Sequence, residues 1–157
     1  MLQKYKDKKD QGFTIIEVLI VLAIAGLIIL IVFLAVPALQ RNSRNTQRRN
    51  DVSAILGSIQ EFSNNNGGDL PTATDKSTVL ANAERGIYED DAAISISGSV
   101  PTAPADASTQ LETVDIITGG TCSSPTTATT TGASSREVAI RFWVETSGAP
   151  QEQCQAS

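Results

Sequence analysis

A single carboxylate stands inside the most apolar stretch of this chain, and its surroundings pose the first chemical question. Glu17 follows Phe13 by four residues and abuts residues 18–36, nineteen positions without a charge. An ionised carboxylate deep in hydrocarbon costs roughly 2.5–3.5 kcal/mol on insertion scales, so Glu17 needs a partner. No Lys, Arg or His lies between Phe13 and Gln40. A cationic partner must then be a chain terminus or another molecule; the alternative is a Glu that snorkels from a helix end to the interface. The other reactive side chains are Cys122 and Cys154, the only two cysteines. With no His in the chain and no cysteine neighbours, they do not form a metal site, and the pair reads most simply as a disulfide in an oxidising compartment, against two free thiols. No nucleotide-binding glycine loop and no nucleophile–base spacing is present, so neither catalytic residues nor a cofactor is expected, and the chain is not expected to be an enzyme.

These residues must be positioned by a small number of elements, since 157 residues allow one modest domain plus an appendage. Residues 18–36 would span about 28 Å as a helix, close to the hydrocarbon thickness of a bilayer, and show no polar face. Before them, residues 1–12 carry Lys4, Lys6, Lys8 and Lys9; after them come Arg41, Arg44, Arg48 and Arg49. With four cations on each side, the positive-inside rule chooses no orientation by count. Residues 50–157 hold 14 Asp or Glu against Lys76, Arg85, Arg136 and Arg141. So acidic a domain is not expected to present a broad nucleic-acid surface.

The string Gly12-Phe13-Thr14-Ile15-Ile16-Glu17-Val18-Leu19-Ile20-Val21-Leu22-Ala23-Ile24-Ala25-Gly26 closely resembles the processing site and first helical turns of type IV pilins and of the related pseudopilins of type II secretion. The resemblance implies that a prepilin peptidase cuts after Gly12 and methylates the amine of Phe13, making residues 1–12 a leader. It implies that Thr14 and Glu17 serve assembly, Glu17 meeting the amino terminus of its own or a neighbouring subunit. Four residues apart on a helix, the Phe13 ammonium and Glu17 share one face. The partners implied are further copies of the chain in a helical homopolymer, the peptidase, an assembly ATPase and a platform protein, with the membrane holding the subunit beforehand. The chain would sit single-pass in the cytoplasmic membrane with its head outside, then in a surface pilus for adhesion, motility or DNA uptake. A type II secretion pseudopilin, a minor or competence pilin, and a solitary membrane-anchored surface protein are the rival readings.

The resemblance also implies an α+β fold in which a long N-terminal helix, half membrane and half amphipathic, packs on a small antiparallel sheet. We divide the chain into leader (1–12), transmembrane and assembly helix (13–39), amphipathic helix (40–63) and head (64–157) with a C-terminal disulfide loop between Cys122 and Cys154. Gly26 and Pro37 are expected to break the helix, Pro37 because it removes a backbone donor and clashes with the preceding turn. Residues 40–50 are polar without an apolar stripe, a solvated or headgroup-facing helix. Val52, Ile55, Leu56, Ile59 and Phe62 form the stripe of a core-facing helix, ended by Asn64-Asn65-Asn66-Gly67-Gly68. A short helix over 77–85 capped by Asp75 or Ser77, strands over 93–97, 112–118 and 137–146, and an exposed Thr/Ser-rich loop over 119–135 complete the expectation.

Overall fold

The computed structural model describes residues 12–157, and the chain divides into two compact units between Leu39 and Gln40. Residues 1–11 of the expected leader lie outside the described residues. Helix α1 (Ile15–Asn65) enters both units. In the N-terminal unit every described residue is exposed within the single chain, Phe13, Leu19, Ile24 and Leu30 among them. Among the described residues this is the one stretch long and apolar enough to cross a membrane.

The expected break at Gly26 and Pro37 is absent, because α1 stays helical through both positions. One proline removes one backbone hydrogen bond and costs about 3 kcal/mol. Here it sits in a run of Leu, Ile, Val and Ala that favours helix on either side, and the helix carries on through it.

The C-terminal unit is an α+β head. Its sheet has the order β1-β2-β5-β6, built from β1 (Ile94–Ser97), β2 (Val114–Thr118), β5 (Val138–Val144) and β6 (Gln151–Ala156). The stripe of α1 meets one face of it: Val52, Ile55 and Ile59 are fully buried against Ile116, Ile140 and Phe142. Central strand β5 is buried at all seven positions. Its even-numbered residues face α1, and Ala139, Arg141 and Trp143 face the other side.

The sheet differs from the expected three antiparallel strands. Strand β1 runs parallel to β2, with Ile94 opposite Val114 and Ile96 opposite Ile116. A parallel pair needs a crossover rather than a tight turn. Residues 98–113 supply it, including an unanticipated helix, α3 (Ala107–Glu112), whose start is capped by Asp106 accepting from the Thr109 amide at 3.0 Å. The fourth strand, β6, lies on the far edge of β5, with Cys154 opposite Arg141. Within the stretch read as a loop, β3 (Thr121–Ser124) and β4 (Thr127–Thr129) form a hairpin. It places Ala128 over Ile117 and Ala139 on the face away from α1.

Helix α2 (Lys76–Ala81) is shorter than the expected 77–85, and neither proposed cap holds it. The Asp75 carboxylate instead accepts from the Thr72 amide and hydroxyl at 2.9 and 2.7 Å, closing the preceding 3-10 turn. These bonds hold the Asp75 carboxyl below its usual value. At the end of α1, Gly67 and Gly68 have φ of 70° and 96°, and the Gly68 amide returns to the Ser63 carbonyl at 2.8 Å. That bond closes the helix in the Schellman manner.

Candidate functional site

At the N-terminal site, Gly12, Phe13 and Thr14 precede the helix and are exposed; α1 begins at Ile15. The Thr14 amide and hydroxyl both donate to one oxygen of Glu17, at 2.9 and 2.8 Å, and the Glu17 amide donates to the Thr14 hydroxyl at 3.3 Å. This reciprocal arrangement is a capping box, in which a Thr before the helix and a Glu three residues on satisfy each other's backbone donors. The sequence reading placed Glu17 against the Phe13 amine; in the uncleaved chain that nitrogen is an amide, and Thr14 holds the carboxylate. The signal was legible, since Thr-x-x-Glu ahead of an apolar run is the capping-box pattern. Glu17 is thereby oriented toward the end of the helix, where removal of the leader would create a cation. Gly26 and Pro37 lie along the same helix and add no polar group to this site.

Residues 7–33 match the family model described as the prokaryotic N-terminal methylation motif, well under half of the chain. The matched stretch includes Gly12, Phe13 and Glu17. No curated protein and no solved structure matches the chain. The methylation motif supports a protein of type IV pilin-like or pseudopilin class and implies processing by prepilin peptidase. Together with an exposed apolar helix it fits membrane anchoring. The motif ends at Phe33, so the head has to be understood from its own contacts.

In the head, Cys122 on β3 is bonded to Cys154 on β6, with Cα atoms 5.8 Å apart. The bond joins the hairpin to the edge strand, and the Cys154 amide donates to the Pro125 carbonyl at 2.8 Å beside it. Closing a loop of about 30 residues contributes on the order of 2–4 kcal/mol. The two cysteines also pack against the small cluster of Ile117, Ala128 and Ala139.

The polar segment after the apolar run is solvated over most of its residues, Arg49 among them, but Arg41, Arg44, Asn45 and Arg48 are engaged with the head. Arg44 grips both carboxylate oxygens of Glu145, at 2.7 and 2.5 Å, and Arg48 reaches the same carboxylate at 2.8 Å. Asn45 donates to the Glu145 carbonyl and accepts from its amide, each at 2.8 Å, extending the end of β5 as a neighbouring strand would. Arg41 donates to the Thr146 carbonyl at 3.1 Å. The hydrogen bonds from Arg44, with Arg48 beside them, hold the Glu145 carboxyl down to about 2. Arg48 and Asn45 are buried, whereas the Arg44 side chain remains half exposed. Sequence inspection missed this clasp because its partners lie about a hundred residues apart.

Two further polar groups escaped sequence reading. Asp51, fully buried on α1, accepts from the amides of Gly86, Ile87 and Tyr88 through one oxygen and from Gln47 through the other. It fixes the loop before β1. On the opposite face of the sheet, Arg141 pairs with Asp115 at 2.5 Å, donates to the Pro101 carbonyl at 2.7 Å, and lies 5.0 Å from the Trp143 ring centre. Ser95 donates to the second Asp115 oxygen at 2.6 Å. Both charges are buried, and the network fastens the crossover to the sheet.

Proposed function

We propose that this chain is a structural subunit of a type IV pilus, processed after Gly12, that polymerises through its N-terminal helix into a surface filament. The methylation motif at residues 7–33, running into a helical stretch whose apolar side chains are all exposed within the single chain as far as Leu39, carries this reading. A helix of this kind is stable in a bilayer or among copies of itself. Moving between the two exchanges one apolar environment for another, so water exclusion contributes little and polar groups set specificity. Cleavage at Gly12 creates the Phe13 ammonium, and methylation preserves its charge. Glu17, already held at the helix start by Thr14, would pair with that cation on its own chain or on a neighbour. A misaligned docking that strands the carboxylate costs about 3–5 kcal/mol, which makes the pair a register device.

In this reading the chain is mechanical and not an enzyme. It is drawn from a cytoplasmic-membrane pool with its head outside, and an assembly ATPase and platform protein supply the work. Adhesion, motility and DNA uptake all employ such a filament. The disulfide-bounded C-terminal segment favours a pilin over a pseudopilin. Two measurements test the proposal: N-terminal sequencing of the exported protein, and immunogold labelling of cells. A methylated Phe13 together with label along whole filaments is the expected result. A different N-terminus overturns the processing step, and label confined to tips or to the envelope assigns the chain to a minor pilin or pseudopilin.

A further inference from the structure

We propose that Asn66 is a self-modifying site, which converts spontaneously to aspartate and isoaspartate through attack by the backbone nitrogen of Gly67. The inference is independent of the filament reading and rests on the end of α1.

Asn66 is exposed and is followed by Gly67, whose φ of 70° places it in the left-handed region. Around the position that a Gly67 side chain would take there is open space. The helix closes through the Gly68 amide to Ser63 and the Asn66 amide to Phe62, while the Gly67 amide has no hydrogen-bond partner among the described residues. The nitrogen needed for the attack is thus uncommitted and belongs to an exposed residue that carries no side chain of its own. One contact opposes reaction: the Asn66 side-chain nitrogen donates to the Phe62 carbonyl at 2.7 Å. The carboxamide must leave that bond to present its carbon, so fraying of the last helical turn gates the step. Helix ends open at low free energy, which makes such a gate permissive.

The chemistry balances without a co-reactant other than water. As the Gly67 nitrogen gives up its proton, it forms a bond to the Asn66 side-chain carbonyl carbon, and the carboxamide nitrogen departs as ammonia, leaving a five-membered imide. Water then opens the imide at either carbonyl. Opening at the backbone carbonyl leaves the chain running through the former side chain as isoaspartate; opening at the other gives aspartate.

Either product changes the helix end. The donor to Phe62 is lost, and a carboxylate appears at the negative pole of the helix dipole, where anions are unfavourable. Isoaspartate also adds a carbon to the backbone between Asn66 and Gly67, which shifts Gly68 away from Ser63. The modification therefore loosens the junction between α1 and the following turn. Asn64 and Asn65 serve as internal references, since both lie within the helix and are followed by residues with side chains.

The test uses the purified full chain in detergent, aged in mildly alkaline buffer and followed by peptide mapping and enzymatic isoaspartate labelling. Conversion at Asn66 is expected about tenfold faster than at Asn64 or Asn65, equivalent to about 1.4 kcal/mol in barrier. Gly67→Ala should bring Asn66 down to the reference rate. Asn66→Gln, which leaves both glycines in place, should abolish the label at this position while the chain stays folded. Hydrogen exchange over residues 62–68 should accelerate in the aged protein and not in that variant. Conversion at Asn66 no faster than at its two neighbours, or a rate indifferent to Gly67→Ala, overturns the proposal.

Discussion

At the scale of single residues, Glu17 caps the start of α1, and the proposed filament would give it a second, charge-pairing role; a pair of substitutions tells the two apart. Gln retains an oxygen that accepts from Thr14, as capping boxes tolerate Glu or Gln, but it has no charge for an ammonium. If charge pairing governs assembly, Glu17→Gln and Glu17→Val should both leave membrane-retained subunits and few filaments by electron microscopy. Normal filament abundance with Gln would assign Glu17 to capping alone. The buried pair behind the sheet permits a sharper energetic statement. Asp115→Ala strands Arg141, which then keeps the Pro101 carbonyl, the Trp143 ring and a longer ion pair to Glu152 at 4.0 Å. Loss of one member of a buried pair costs about 3–5 kcal/mol, a large part of a small domain's stability. Chemical denaturation followed by fluorescence of Trp143, the sole tryptophan, should report that loss.

Elements differ in how far their sequences betray them. The stripe on α1 and the alternation on β5 were legible because each buries a periodic apolar face, and the exposed apolar run was legible from length alone. Strand β6 was not, since Gln151-Glu152-Gln153-Cys154-Gln155 sits at a sheet edge and carries little apolar burial. Hairpin β3–β4 hid for a similar reason: only Ala128 is buried in it, and its stability is borrowed from the disulfide. The clasp at Glu145 depends on tertiary proximity that no local pattern encodes, although both halves of the N-terminal capping box stood in plain view. Replacing Cys122 and Cys154 together by Ser should lower stability by about 2–4 kcal/mol. The accompanying loss of amide protection should concentrate in residues 121–129 and 151–156. Uniform loss across β2 and β5 would mean that the hairpin belongs to the main cooperative unit.

For the molecule as a whole, acid tolerance can be derived from the groups whose titration is displaced. Glu145 is held from its ordinary 4.5 down to about 2 by Arg44 and Arg48. A carboxyl with a depressed folded value adds stability that is complete above about 4.5 and fades as pH falls toward 2. Asp75 and Asp106, lowered by their turn hydrogen bonds, act in the same direction. Denaturant midpoints measured across that interval should fall for the native chain. In Glu145→Gln the fall should be shallower and the midpoint at neutral pH lower, and equal slopes would remove Glu145 from the account. Salt should weaken the half-exposed Arg44 contact more than the buried Arg48 contact.

The covalent bond between β3 and β6 also imposes an order in time. The larger core, between α1 and the inner face of the sheet, needs only exclusion from water, so it can close as soon as the polypeptide is free to collapse. The smaller patch under the hairpin contains two alanines and one isoleucine, too little to hold the strands by itself, and it waits for an electron acceptor. Maturation of the head is therefore staged, with its last corner sealed by whatever oxidant the chain meets. A cell lacking that oxidant should accumulate subunits that are folded along the helix and unlatched at one edge, vulnerable to proteases there and intact elsewhere.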